Sequence, residues 1–209
     1  MNTPVLLVAG LGRCGTTMMM TMLDAGGFPV TGPRPSYELP ERFSPTRADK
    51  PWLAAQGGSA VKMIDPTRYG LRESDFTAPP VVILMERRAN QQARSQVKLL
   101  NSMSNRVLIP RAAEKLMRRS IERDAPRLRA QMGHLGFVYR LQFETVLADP
   151  ASVAIRLARI VHHHFKRGFD HLTAAGAVLP RDPKCLPDLW MENAVLPSIA
   201  QELDRRGVA

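Results

Sequence analysis

Cysteine is nearly absent. Cys14 and Cys185 are the only two in 209 residues, which gives neither a disulfide framework nor a metal-ligand spacing. A reducing compartment is the expectation. Long apolar runs are missing as well: no stretch approaches the roughly 20 residues that span a bilayer. The apolar start, Val5–Ala9, is too short for a signal peptide and lacks its basic flank. A cytoplasmic location is therefore expected. The chain has no zinc-finger spacing, no RNA-binding aromatic signature and no helix-turn-helix pattern, which argues against nucleic acid as a partner.

Positive charge, by contrast, is abundant. Twenty-nine Lys and Arg against 19 Asp and Glu leave a formal charge of +10, an excess that concentrates anions and speeds their capture. Phosphorylated nucleotides, nucleic acid, acidic glycans and anionic membrane surfaces all satisfy it, and charge alone does not choose among them. The apolar fraction, 44%, is ordinary for a globular protein. The length suits one domain with one core, residues 1–209, with a variable loop at 31–58 and a C-terminal tail at 181–209.

Pro4–Ala9 is a continuous apolar run rich in β-formers, as expected of a strand buried on both faces of a parallel sheet. A Gly-rich turn, residues 10–17, follows it, and a helix-forming run then extends from Met18 to Ala25. Residues 28–58 are rich in Pro, Gly and Arg and read as a long functional loop. Further strands are expected at Ser59–Ile64, Val81–Met85 and Phe137–Leu141, and helices at Ala89–Leu100 and Ala112–Arg123. Pro126 is expected to begin a new turn or helix. Asp149 and Pro150 read as the cap and first residue of a helix through Val153, Leu157 and Ile160. In the tail a short helix is expected near Ala194–Arg205. Strands alternating with helices predict a three-layer α/β/α fold with a mostly parallel central sheet.

A strand that feeds a Gly-rich turn opening a helix is an anion site by construction. Unpaired N–H groups at the helix start point at the ligand, and the helix dipole favours negative charge. Gly10, Gly15 and Thr17 approximate the phosphate-loop pattern G-x-x-x-x-G-K-[ST], but Thr16 stands where the lysine should be. Without that lysine, ordinary ATP or GTP hydrolysis loses its main contact to the outer phosphates.

Gly12-Arg-Cys-Gly-Thr-Thr17 resembles the 5′-phosphosulfate loop of P-loop sulfotransferases, with Arg13 as the early basic residue and Cys14 in place of the usual Ser. Beyond strand 81–85, Arg87 and Ser95 are spaced like the family's Arg and Ser that hold the nucleotide's 3′-phosphate, although Arg88-Ala89 replaces the common Asp-Pro. Such a pair makes chemical sense, because Arg offers a planar fork to phosphate and Ser a further donor. Arg88 would add charge at the same phosphate. Phe143–Pro150 is similar to the family's Tyr-Glu-Asp-Leu-x-x-Asp-Pro segment, which is mainly structural. Together the three matches cover most of residues 4–165.

The resemblance implies a P-loop NTPase-like fold and sulfonyl transfer from 3′-phosphoadenosine 5′-phosphosulfate (PAPS), without a metal, to an unidentified acceptor. It assigns Arg13, Cys14, Gly15, Thr16 and Thr17 to the 5′ side of the nucleotide, and Arg87 and Ser95 to its 3′-phosphate. Glu38 resembles a loop carboxylate that serves as general base, with Glu41 and Asp65 as alternatives. Lys62 resembles a strand-end lysine that, with Arg13, carries the leaving-group charge. Trp52 is a candidate to stack on adenine.

Consecutive residues on a helix diverge by about 100°, so His162, His163 and His164 do not easily close round one metal ion. Arg111, Lys115, Arg119 and Arg123 recur every four residues as a basic helical stripe, either a solvated face or a dock for an acidic acceptor. Two other readings stay open at this point: a P-loop nucleotide kinase with an unusual loop, and a non-catalytic anion- or nucleic-acid-binding protein on the same fold.

Overall fold

The computed structural model describes residues 3–38, 51–103 and 111–178. Glu41, Cys185 and the helix expected near 194–205 lie outside the described residues. In chain order the elements are β1 (Leu6–Gly10), α1 (Thr16–Ala25), α2 (Pro51–Ala54), β2 (Ala60–Ile64), β3 (Val81–Glu86), α3 (Ala89–Met103), α4 (Arg111–Leu135), β4 (Phe137–Gln142), α5 (Phe143–Ala148), α6 (Pro150–Phe165) and α7 (His171–Gly176). Two short 3-10 turns, Pro66–Tyr69 and Glu73–Asp75, lie between β2 and β3. The chain divides into two compact units, Met1–Arg87 with Asp124–Pro180 and Arg88–Arg123 with Arg181–Ala209.

The first unit holds the sheet. Its four strands run in the order β2-β1-β3-β4 and every pairing is parallel. β1 is central and buried along its whole length. Its alternate residues serve two separate cores, as the two-residue period of a strand requires. Leu6 and Val8 join Met19, Met20, Leu23, Leu157 and Val161 on one face, while Leu7 and Ala9 join Leu53, Val61, Met63, Leu128 and Met132 on the other. The protein is therefore an α/β fold with apolar packing on both faces of a parallel sheet. α6 shows how the pattern produces this. Asp149 accepts from Ser152 N at 3.0 Å, Pro150 starts the helix, and Val153, Leu157, Ile160 and Val161 fall on the buried stripe.

The second unit is helical. α3 buries Gln92, Ala93, Ser95 and Leu100, and the first half of α4 buries Ala113 and Ile121. Arg94 Nε lies 3.0 Å from Glu114 Oε1, and Arg118 Nε lies 3.6 Å from Glu122 Oε1. Lys115, Arg119 and Arg123 of the basic stripe are exposed.

Two expectations need correction. Pro126 opens no new element: α4 runs through it as one helix of 25 residues. An internal proline costs about 3 kcal/mol. The helix continues because Leu128, Met132 and Leu135 beyond it are buried, each worth about 1.5–3 kcal/mol. In the stretch read as loop, Pro51–Ala54 forms a helical turn that buries Leu53 completely. The segment after β4, to which the sequence reading assigns no element, forms α5 and buries Val146. Among the described residues no helix is long and apolar enough to cross a membrane.

Candidate functional site

In a parallel sheet the strand ends and the loops beyond them form the natural ligand crevice, and β1 ends at Gly10. The turn that follows is conformationally unusual. Arg13 has φ 69° and Gly15 has φ 100°, both in the left-handed region. A non-glycine residue held there marks stored strain of the kind that clusters at functional sites. Gly15 is the N-cap of α1, which has no side-chain cap and no acidic residue in its first turn. Its first N–H groups and the positive end of its dipole are thus arranged to receive an anion.

Cys14 contributes to this loop differently from the serine it replaces. Its side chain is buried in the core, and a Cβ on Gly10 would overlap its Sγ and come within 2.7 Å of Met85 O. Burial above all, with the Asp65 carboxylate adding to it, pushes the thiol up to about 12. Cys14 is therefore a packing group by its side chain, and its backbone is what it presents to the loop.

Lys62 stands in the middle of β2, opposite Val8, and not at the strand end expected from the sequence; its side chain has no exposed surface. Its Nζ donates to Thr17 Oγ1 at 2.7 Å, to Ser36 O at 2.8 Å and to Glu38 Oε1 at 3.0 Å. An ammonium has three donors, and these are three acceptors. Burial this complete would be prohibitive for an unpaired charge, so the network and the lysine depend on each other. It joins the glycine-turned loop, β2 and the 33–38 turn.

That turn is fixed independently. Arg34 Nη2 reaches Asp24 Oδ1 at 2.7 Å, and Tyr37 Oη donates to Asp24 Oδ2 at 2.9 Å, tying the segment to α1. Burial, then the hydrogen bond to Asp24, raises the Tyr37 hydroxyl above its ordinary value. Tyr37 itself has φ 55°, so the residue before Glu38 is also left-handed. Asp65, at φ 49°, is a third such residue beside the loop; its N–H donates to Gly10 O at 2.9 Å, and Arg68 approaches its carboxylate at 3.5 Å.

On the other side of β1, Arg87 follows β3. Glu86 fixes this strand end by accepting from Arg140 Nη2 at 2.9 Å and Gln142 Nε2 at 3.0 Å, with Arg129 as a further partner. Arg87 Nη1 donates to Arg13 O at 3.1 Å, and its guanidinium lies over Phe143, 4.4 Å from the ring centre. Two sets of bonds thus meet the same loop: Lys62 joins Thr17 to Glu38, and Arg87 holds the Arg13 carbonyl. Ser95 is buried on α3 in the second unit. Trp52 is half-buried and packs against the core that holds Leu53 and Met63. His164 is bonded to Tyr139 Oη at 2.7 Å at the end of α6 and packs near Phe137. Burial, then the charges of His163 and Lys166, lowers its pKa.

Sequence reasoning missed Phe143 and Ser36. Phe143 was legible only as part of a structural segment, and Ser36 acts through its carbonyl, which no side-chain motif reveals.

Parallel sheet and flanking helices together define an α/β protein. Within that class the fold is similar to the crystal structure of the sulfotransferase STF9 from Mycobacterium avium, with a TM-score of 0.54 and 14% sequence identity over 98% of this chain and 76% of that one. No protein-family model matches the chain, and no curated protein matches its sequence.

Proposed function

We propose that the protein is a sulfotransferase that moves a sulfonyl group from PAPS to a hydroxyl or amine of an acceptor, whether glycan, lipid or small molecule. The observation that carries this reading is the buried Lys62, bonded at once to Thr17 of the phosphate loop and to Glu38. A nucleotide kinase would be expected to use a lysine within the loop, and Thr16 occupies that place. Here the cation comes from the neighbouring strand instead.

In this reading the N–H groups of Arg13 to Thr17 hold the 5′-phosphosulfate, with Cys14 contributing its backbone. Arg87 binds the 3′-phosphate. The acceptor oxygen or nitrogen forms its bond to sulfur as the bond from sulfur to the 5′-phosphate oxygen breaks. The acceptor's proton passes to the Glu38 carboxylate, and the departing bisphosphate keeps the electron pair. Lys62 acts through its charge, because three acceptors already surround its ammonium. It sets that charge beside the loop where negative charge develops, and Arg13 shares the task. No metal takes part in the proposed step. The proposal treats the chain as one functional domain, and the scarcity of cysteine favours a cytoplasmic location.

Thermal denaturation with added nucleotide tests the reading, since a ligand that binds only the folded state raises the midpoint. Adenosine 3′,5′-bisphosphate should raise it in the absence of metal, whereas 5′-AMP should have little effect. A larger rise with Mg-ATP than with the bisphosphate would overturn the proposal in favour of a kinase.

A further inference from the structure

Phe143 belongs to a segment whose family counterpart is mainly structural, yet its ring meets both Gly15 of the phosphate loop and Arg87. Glu86 pairs with Gln142 in the parallel β3–β4 ladder. Arg87 and Phe143 are the residues that follow this last pair, Arg87 directly after β3 and Phe143 as the first residue of α5. The Arg87 guanidinium lies 4.4 Å from the centre of the ring. Gly15 packs against the same ring: a Cβ there would come within 2.5 Å of Phe143 Cδ2 and 3.2 Å of Cε2. Arg87 completes the circuit by donating to Arg13 O at 3.1 Å.

A guanidinium engaged through its face keeps its edge available, and all five of its N–H donors lie in that edge. The ring therefore attracts the cation without taking up a donor, and it fixes the plane in which the donors fan out. Arg87 Nε and Nη2 are closed off from water, and such desolvation strengthens a cation–π contact. Leucine would fill similar space but would neither attract the cation nor define its plane.

We infer that Phe143 is a positioning residue of the nucleotide site: its ring sets the Arg87 donor fork and the left-handed Gly15 turn in register with each other. The inference rests on the sulfotransferase reading for the identity of the nucleotide, but not for the geometry. Phe143 aligns the group proposed for the 3′-phosphate with the loop proposed for the 5′ side.

The test compares Phe143→Leu with Phe143→Tyr, which keeps the ring, and with Val146→Ala, which removes core volume from the same helix. Calorimetric titration with adenosine 3′,5′-bisphosphate should show affinity about tenfold weaker in Phe143→Leu. Phe143→Tyr should stay within about twofold of the native protein. Val146→Ala should do the same while melting at a lower temperature. Native affinity in Phe143→Leu, or an equal loss in Val146→Ala, would overturn the inference. Amide hydrogen exchange at residues 13–17 supplies a readout that needs no nucleotide. Exchange there should speed up in Phe143→Leu alone. If the native protein binds no bisphosphate, the functional reading falls, and unchanged exchange in Phe143→Leu would then dismiss the positioning role as well.

Discussion

Lys62 Nζ and Glu38 Oε1 form an ion pair at 3.0 Å in which the lysine side chain has no exposed surface and the glutamate only 7%. Pairs of this kind contribute little when compared with a well-packed apolar replacement, but breaking one leaves a charge stranded without solvent. Lys62→Met should therefore destabilise the fold by about 3–5 kcal/mol, seen as a lower urea midpoint at unchanged slope. Glu38→Met should cost a similar amount. The double variant should recover a large part of either loss, because it strands no charge. Additive losses in the double variant would show that the two groups are energetically independent.

Cys14 should be chemically silent. With its thiol pushed up to about 12 by burial, the reactive thiolate is scarce at neutral pH. In a Cys185→Ser background, a thiol-specific reagent at pH 8 should label nothing in the native protein and one thiol after unfolding. Rapid native labelling would mean that the loop opens far more often than its packing implies.

Two helix caps give the fold an acid-sensitive component. The Asp149 carboxyl is held below its ordinary value of 3.8 by its hydrogen bonds with Ser152, and that of Asp170 below the same value chiefly by those with Thr173. Because these folded-state values are depressed, the stabilisation is present above the ordinary value. It is lost as pH falls through the lower folded values. Asparagine caps helices about as well as aspartate but does not titrate. The double Asp149→Asn, Asp170→Asn variant should thus keep most of its melting temperature at pH 7 and lose less of it on acidification. An acid limb as steep as the native one would place the sensitivity elsewhere.

The order of strands and helices was legible because burial writes itself into composition. β1 faces two cores, so it reads as an unbroken apolar run, and α6 faces one, so it reads with helical spacing. Pro126 misled because local propensity ignores what lies beyond it, namely the buried Leu128, Met132 and Leu135. In the site, Arg13, Thr17 and Arg87 could be named from motif spacing and Glu38 and Lys62 from the family resemblance; hydrogen bonds join Lys62 to Thr17 and Glu38, and Arg87 to the Arg13 carbonyl. The sequence could not show that Lys62 is enclosed by Thr17, Ser36 and Glu38, since that depends on a turn stapled to α1 through Asp24. Nor could it reveal Phe143 beneath Arg87. That contact joins residues that follow two different strands, β3 and β4, and no single segment encodes it.

Calorimetric titration of adenosine 3′,5′-bisphosphate into the native protein and into Arg87→Ala, without metal, tests the central claim most directly. Tight binding by the native protein, weakened at least about tenfold in the variant, is the predicted result, because charge-assisted bonds to phosphate contribute about 1.5–3 kcal/mol. Binding of equal strength in the two proteins, or none in either, would contradict the account.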